Sequence, residues 1–151
     1  MNPSGTLACS DVCINGMFLA VAACFPARTC DLSSLVDFIL NEQLGDGGFN
    51  CRSNRSGCHI SSVHTTGSVI DGFTEYLRAG HSHRADDVAA AREAATECLL
   101  ARRLYQRKET GVPVHPDVVK LHHPPRWHFD VLRGLEVVAA AGVAVQRRTR
   151  G

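Results

Sequence analysis

The sequence predicts an all-α chain built from stacked helical hairpins. Three observations lead there. No stretch of useful length alternates apolar and polar residues at period two, as a half-buried strand would. Five segments instead repeat their apolar residues at helical spacing. Those segments alternate between helices apolar on most sides and helices apolar on one. That pattern arises when one helix of each hairpin faces inward and the other covers it.

Helix one is expected over about Val12 to Phe25. It is apolar nearly all round, so burial on most sides is expected. Ser10 or Asp11 can cap its start, and Pro26 ends it. Helix two is expected over about Leu32 to Gln43. Leu32, Leu35, Val36, Ile39 and Leu40 form one stripe behind an Asp31 cap, so this helix should lie outside. A glycine turn, Gln43-Leu44-Gly45-Asp46-Gly47-Gly48-Phe49, and a polar loop with Cys51, Arg52, Arg55, Cys58 and His59 follow.

Helix three runs over about Ser62 to Arg78, with Val63, Ile70, Phe73 and Leu77 on one face and Gly80 as its stop. Helix four, about Ala85 to Gln106, is alanine-rich, with Arg92, Glu93, Glu97, Arg102 and Arg103 expected at the surface. Gly111 and Pro113 close it. Helix five is expected over about Phe129 to Ala141, ending at Gly142. Residues 1–142 thus form one helical domain, and 143–151 form a basic, frayed tail.

Composition narrows the function. A chain of 151 residues, 44% hydrophobic and 21% charged, can bury one real core and suits a soluble globular protein. A formal charge of +1 without a basic stripe argues against nucleic acid as a partner. The apolar run from Met17 to Phe25 is too short to span a bilayer. It follows Asp11 rather than a basic segment, so neither a transmembrane segment nor a secretory leader is expected. Seven cysteines, an odd number without a CxxC framework, read as reduced thiols and a cytoplasmic setting.

Two motifs carry a resemblance. Gln43-x-x-Asp46-Gly47-Gly48-Phe49 resembles the glutamine-glycine-aromatic repeat of squalene and hopene cyclases, with Phe49 where tryptophan is usual. The order Gly47-Gly48-Phe49, then His64-Thr65-Thr66, then Gly72-Phe73 resembles protein prenyltransferase β subunits. The similarity covers about Asp11 to Gly80, and Phe129 to Gly142 as a helix alone. It implies an α/α toroid whose inner helices line a cavity. A chain with five or so helices would supply an arc, an incomplete ring, whose open ends invite self-association or a second helical subunit.

The resemblance also implies a zinc site made by Asp11, Cys13 and His64. Three ligands of mixed O, S and N type leave one tetrahedral position for a substrate thiol, which the metal would make nucleophilic. The same residues also read as an N-cap, a core thiol and a loop-edge histidine. Prenyltransferases hold the diphosphate with basic residues upstream of the aspartate. Here Gly5 and Ala8 occupy that region, and no basic residue precedes Arg28. The anion would fall to Arg52, Arg55 or Arg126. The residue after the cysteine is Ile14 rather than an aromatic. The aspartate-rich proton donor of the cyclases is missing, and one Trp, two Tyr and six Phe make a thin aromatic lining. A prenyltransferase-like transferase therefore fits better than a self-contained cyclase.

A second cluster, His115, His122, Arg126, Trp127 and His128, precedes helix five, whose N-terminus favours an anion. His59, beside Cys58, adds a further polar candidate. The expected function is action on an isoprenoid, a prenyl diphosphate or polyprenyl compound. The alternative is a non-catalytic helical repeat domain that binds a partner.

Overall fold

The computed structural model describes residues 11–25, 30–51, 57–121 and 129–142. Among them are five α-helices: α1 (Val12–Ala22), α2 (Ser33–Asn41), α3 (Val63–Arg78), α4 (Ala85–Ala101) and α5 (Val131–Ala140). A short 3-10 turn covers Pro116–Val119. The described residues form no strand, and the one isolated bridge pairs Gln106 with Pro113. The all-α class is therefore as expected. None of the described helices is long and apolar enough to cross a membrane.

Local signals set the helix starts. The Ser62 hydroxyl accepts the Thr65 N–H at the start of α3. The Asp130 carboxylate accepts the Arg133 N–H at the start of α5. Asp31 accepts the Ser33 N–H ahead of α2. Gly80 and Gly142 follow α3 and α5 with positive φ, the left-handed conformation that stops a helix at least cost.

The hairpins stack side by side. α2 packs on α1, α4 packs on α3, α1 lies along α3, and α2 reaches α4. α5 rests on the same central helix α3, and Arg133 of α5 pairs with Asp71 of α3. Burial pushes the Asp71 carboxyl up, and Arg133 offsets part of that effect. The shared core holds Val12, Leu19, Val36, Ile39, Phe49, Ile70, Phe73 and Leu99, with Phe49 edge-on to Phe73 at 6.2 Å. α3 is buried on more sides than the Val63–Leu77 stripe implied: Thr65, Thr66, Val69, Thr74 and Tyr76 are buried as well.

α1 and α3 approach closely. A Cβ on Gly72 would lie 2.6 Å from the Gly16 carbonyl oxygen, and one on Gly16 would lie 2.8 Å from the Ser68 carbonyl. The two backbones meet because neither position carries a side chain.

Two expectations are corrected. Helix one is not buried on most sides: α1 buries Val12, Gly16, Leu19 and Ala22, while Ile14, Met17, Phe18, Val21 and Phe25 are 45–64% exposed. α2 and α3 supply its main packing among the described helices, and these side chains lie away from it. Helix four ends at Ala101 rather than Gln106. Arg103 and Leu104 adopt positive φ, which costs about 1–2 kcal/mol each. In return Leu104 is buried, and it packs in the space left by Gly134 of α5. Tertiary packing overrides helix propensity there.

Gly72→Ala should destabilise the fold by about 1–3 kcal/mol in chemical denaturation, because the methyl group meets rigid backbone. Gly45→Ala should be near neutral, since nothing lies within 4 Å of its added carbon.

Candidate functional site

The glycine turn is the starting point. Gln43 Nε2 donates to the Gly47 carbonyl at 2.9 Å and to the Ala91 carbonyl of α4 at 3.3 Å. Gly47 has φ +83°, and a Cβ there would lie 2.9 Å from the Ala94 carbonyl. Glycine is thus required twice over, for conformation and for space. The Phe49 N–H donates to Thr66 Oγ1 at 3.0 Å, and the Ser62 N–H donates to the Phe49 carbonyl at 2.8 Å. The motif therefore clamps the end of α2 to α4 and to the start of α3.

Asp46 in this turn accepts N–H groups from Gly48 and Ser61, both at 3.2 Å. Burial alone would push its carboxyl up. The two N–H groups, with Lys108 at 3.8 Å, outweigh burial and hold it below the usual carboxylate range. This fixes Ser61, which in turn receives Arg102. Arg102 Nη1 donates to the Ser61 carbonyl at 2.6 Å and to Ser61 Oγ at 3.1 Å, and Nε donates to the Gln106 carbonyl at 2.9 Å. Arg102 is 7% exposed, so its expected surface position is corrected. Among the described residues, all of its hydrogen-bond acceptors are neutral. A buried charge ordinarily has a charged partner.

Arg102 lines a cavity of about 870 Å³ beside the N-terminus of α3. Val63, Val114, Val118 and Phe129 give the cavity an apolar wall. Arg107 and Lys108 line the same space, as do Glu109 and Asp117. Arg107 Nη2 donates to the Val114 carbonyl at 3.2 Å, again a neutral acceptor. Asp117 is paired with Lys120. The cavity thus combines an apolar side with guanidinium groups held by neutral partners.

The residues expected from sequence fall in three places. His64 lines the cavity, its ring stacked on Phe129 at 6.5 Å between centroids. His115 lines it too, with Nδ1 accepting the Asp117 N–H at 3.1 Å. Asp11 and Cys13 do not line it. The Cys13 N–H donates to Cys51 Sγ at 3.1 Å, and Cys51 Sγ lies 3.5 Å from Thr65 Oγ1. Cys13 thus faces Cys51 at the start of α1, while His64, one residue from Thr65, faces Phe129. Among the described residues no three His, Cys, Asp or Glu side chains group as metal ligands. Asp11, Cys13 and His64 all stand at helix starts, the first two at α1 and the third at α3. His59 is exposed. Arg52, Arg55, His122, Arg126, Trp127 and His128 lie outside the described residues.

No family model, curated protein or solved structure matches this chain. The site is therefore read from its own geometry. Sequence reasoning missed Arg102 and Arg107, because a helix-end arginine in a charged run reads as solvated. The signal available was Leu104, an apolar residue amid Arg102, Arg103 and Arg107 that a surface helix would not need.

Burial, followed by the hydrogen bond and charge of Cys51, pushes the Cys13 thiol from its usual 9.0 up to about 12. Thiolate at neutral pH is then rarer by roughly a thousandfold. In iodoacetamide labelling with mass-spectrometric readout, exposed Cys24 should react at least about a hundredfold faster than Cys13. Equal rates would contradict the buried pairing with Cys51. The raised thiol also sets a pH slope. Below pH 9.0 both folded and unfolded chains hold the proton, and between 9.0 and about 12 the unfolded chain loses it first, so stability falls as pH rises. Cys13→Ser should flatten that slope in denaturation curves.

Proposed function

We propose that this chain is a stacked-hairpin domain that binds an amphiphilic anion of the isoprenoid type, a prenyl diphosphate, in the cavity beside α3. The observation that carries the reading is Arg102, a buried guanidinium with neutral acceptors on the wall of a partly apolar cavity. Arg107 adds a second guanidinium with a neutral acceptor. The first turn of α3 adds N–H groups whose dipole favours negative charge. Val63, Val114, Val118 and Phe129 suit a hydrocarbon body. The likeness of the Gln43–Phe49 turn and the His64 region to the cyclases and prenyltransferases makes the isoprenoid the first amphiphile to test. The reading is one of binding, and no transfer step is assigned.

Titration calorimetry with farnesyl diphosphate, inorganic diphosphate and farnesol separates head from tail. Farnesyl diphosphate should bind more tightly than either part alone. Arg107 is exposed, so Arg107→Gln should leave stability unchanged and weaken binding about tenfold or more, the value of a charge-assisted hydrogen bond. Absent binding, or equal affinity for the variant, would overturn the reading.

A second reading, a helical repeat domain that docks a partner, is favoured by the exposed apolar face of α1. The two readings use different surfaces, so one does not exclude the other.

A further inference from the structure

Two thiols meet where the start of α1 lies against the segment leading into α3. The Cys13 N–H, in the first turn of α1, donates to Cys51 Sγ at 3.1 Å. With standard bond lengths, that contact puts the two Cα atoms no more than about 7 Å apart, within reach of a disulfide without backbone movement. The two side chains also share a hydrogen bond. Both are free thiols and both are half-buried, so a small oxidant has access to them. The two sulfurs differ in their surroundings. Burial first, then the hydrogen bond and charge of Cys51, keep the proton on Cys13. Cys51 Sγ instead faces a helix N–H and, at 3.5 Å, the Thr65 hydroxyl, which are groups that support a thiolate. Cys58 and Cys98 hold other partners, Asn50 and Ser61.

We propose that Cys13 and Cys51 are a modification site for hydrogen peroxide, which joins them in a reversible disulfide, with Cys51 as the attacking sulfur and Cys13 as the resolving thiol. The Cys51 thiolate attacks one peroxide oxygen, the O–O bond breaks, and hydroxide leaves with the proton lost from Cys51 as water. Cys51 is then a sulfenic acid. The Cys13 sulfur attacks it, the S–S bond forms, the S–O bond breaks, and the Cys13 proton leaves with that oxygen as a second water. Two thiols are oxidised and one peroxide is reduced to two waters. A dithiol reverses the step by exchange. The bond links residues 38 apart in sequence and closes a loop that holds α1, α2 and the glycine turn. It also fixes the residue next to Asn50, which donates to the Ile60 carbonyl at 2.7 Å and lines the cavity.

Reduced protein treated with a small excess of hydrogen peroxide, then unfolded and labelled with N-ethylmaleimide, should lose two labels from the seven of the untreated chain. Dithiothreitol should restore all seven. In a Cys24→Ser chain, trypsin with endoproteinase Asp-N should release peptide 11–28 joined to peptide 46–52, whose cysteines are then Cys13 and Cys51 alone. Both readouts keep the pair intact, so they stand if a variant of the pair fails to fold. Cys13→Ser should leave the sulfenic acid unresolved, read as a dimedone adduct on Cys51, and Cys51→Ser should give no adduct on Cys13. Denaturation curves of the oxidised chain should shift to higher denaturant, with the folding constant raised about a hundredfold by loop closure. Seven labels after peroxide, or a linked pair other than Cys13 and Cys51, overturns the inference. A dimedone adduct on Cys13 in Cys51→Ser overturns it too, as does an oxidised chain that unfolds at lower denaturant than the reduced one.

Discussion

Across the α1–α3 contact a methyl group on Gly72 would sit 2.6 Å from the Gly16 carbonyl oxygen. That spacing brings two helix backbones together and lets Val12, Leu19, Ile70 and Phe73 close into one core. The remaining helices are placed relative to this pair. α2 and α4 cover it, and α5 is pinned to α3 by the Asp71–Arg133 pair. The side of α1 that faces away from this contact carries the exposed Ile14, Met17, Phe18 and Val21.

The cavity follows from how α3 begins. The glycine turn binds Gln43 to Ala91 and Phe49 to Thr66, so the chain enters α3 at a fixed place. Asp46 holds the Ser61 N–H, and Ser61 accepts Arg102. A guanidinium is thereby set at the side of the α3 N-terminus, beside an apolar wall. Among the described residues its hydrogen bonds all go to neutral acceptors.

Much of the fold was legible because period and capping are local. The Leu32–Leu40 stripe, the Ser62 start and the Gly80 stop all mark real features, and the glycine turn marks the junction between α2 and α3. What was not legible depends on partners distant in sequence. The run from Val12 to Phe25 shows that α1 is apolar, but not that neighbours cover only part of it. Arg102 reads as a surface residue, because its burial requires the left-handed turn at Arg103 and Leu104, which Gly134 of α5 makes room for. Cys13 and His64 occupy helix starts, as their spacing suggested. Within α3, Thr65 meets Cys51 and the His64 ring stacks on Phe129, contacts that depend on partners distant in sequence.

The central claim is that α1 and α3 form one cooperative unit through their glycine contact. Native-state hydrogen exchange tests it most directly. Amides of Leu19 and Ala22 in α1 and of Ile70 and Phe73 in α3 should share one opening free energy, equal to that of global unfolding. If the α1 amides exchange through a smaller opening while α3 stays protected, α1 is an appended helix and the account is contradicted.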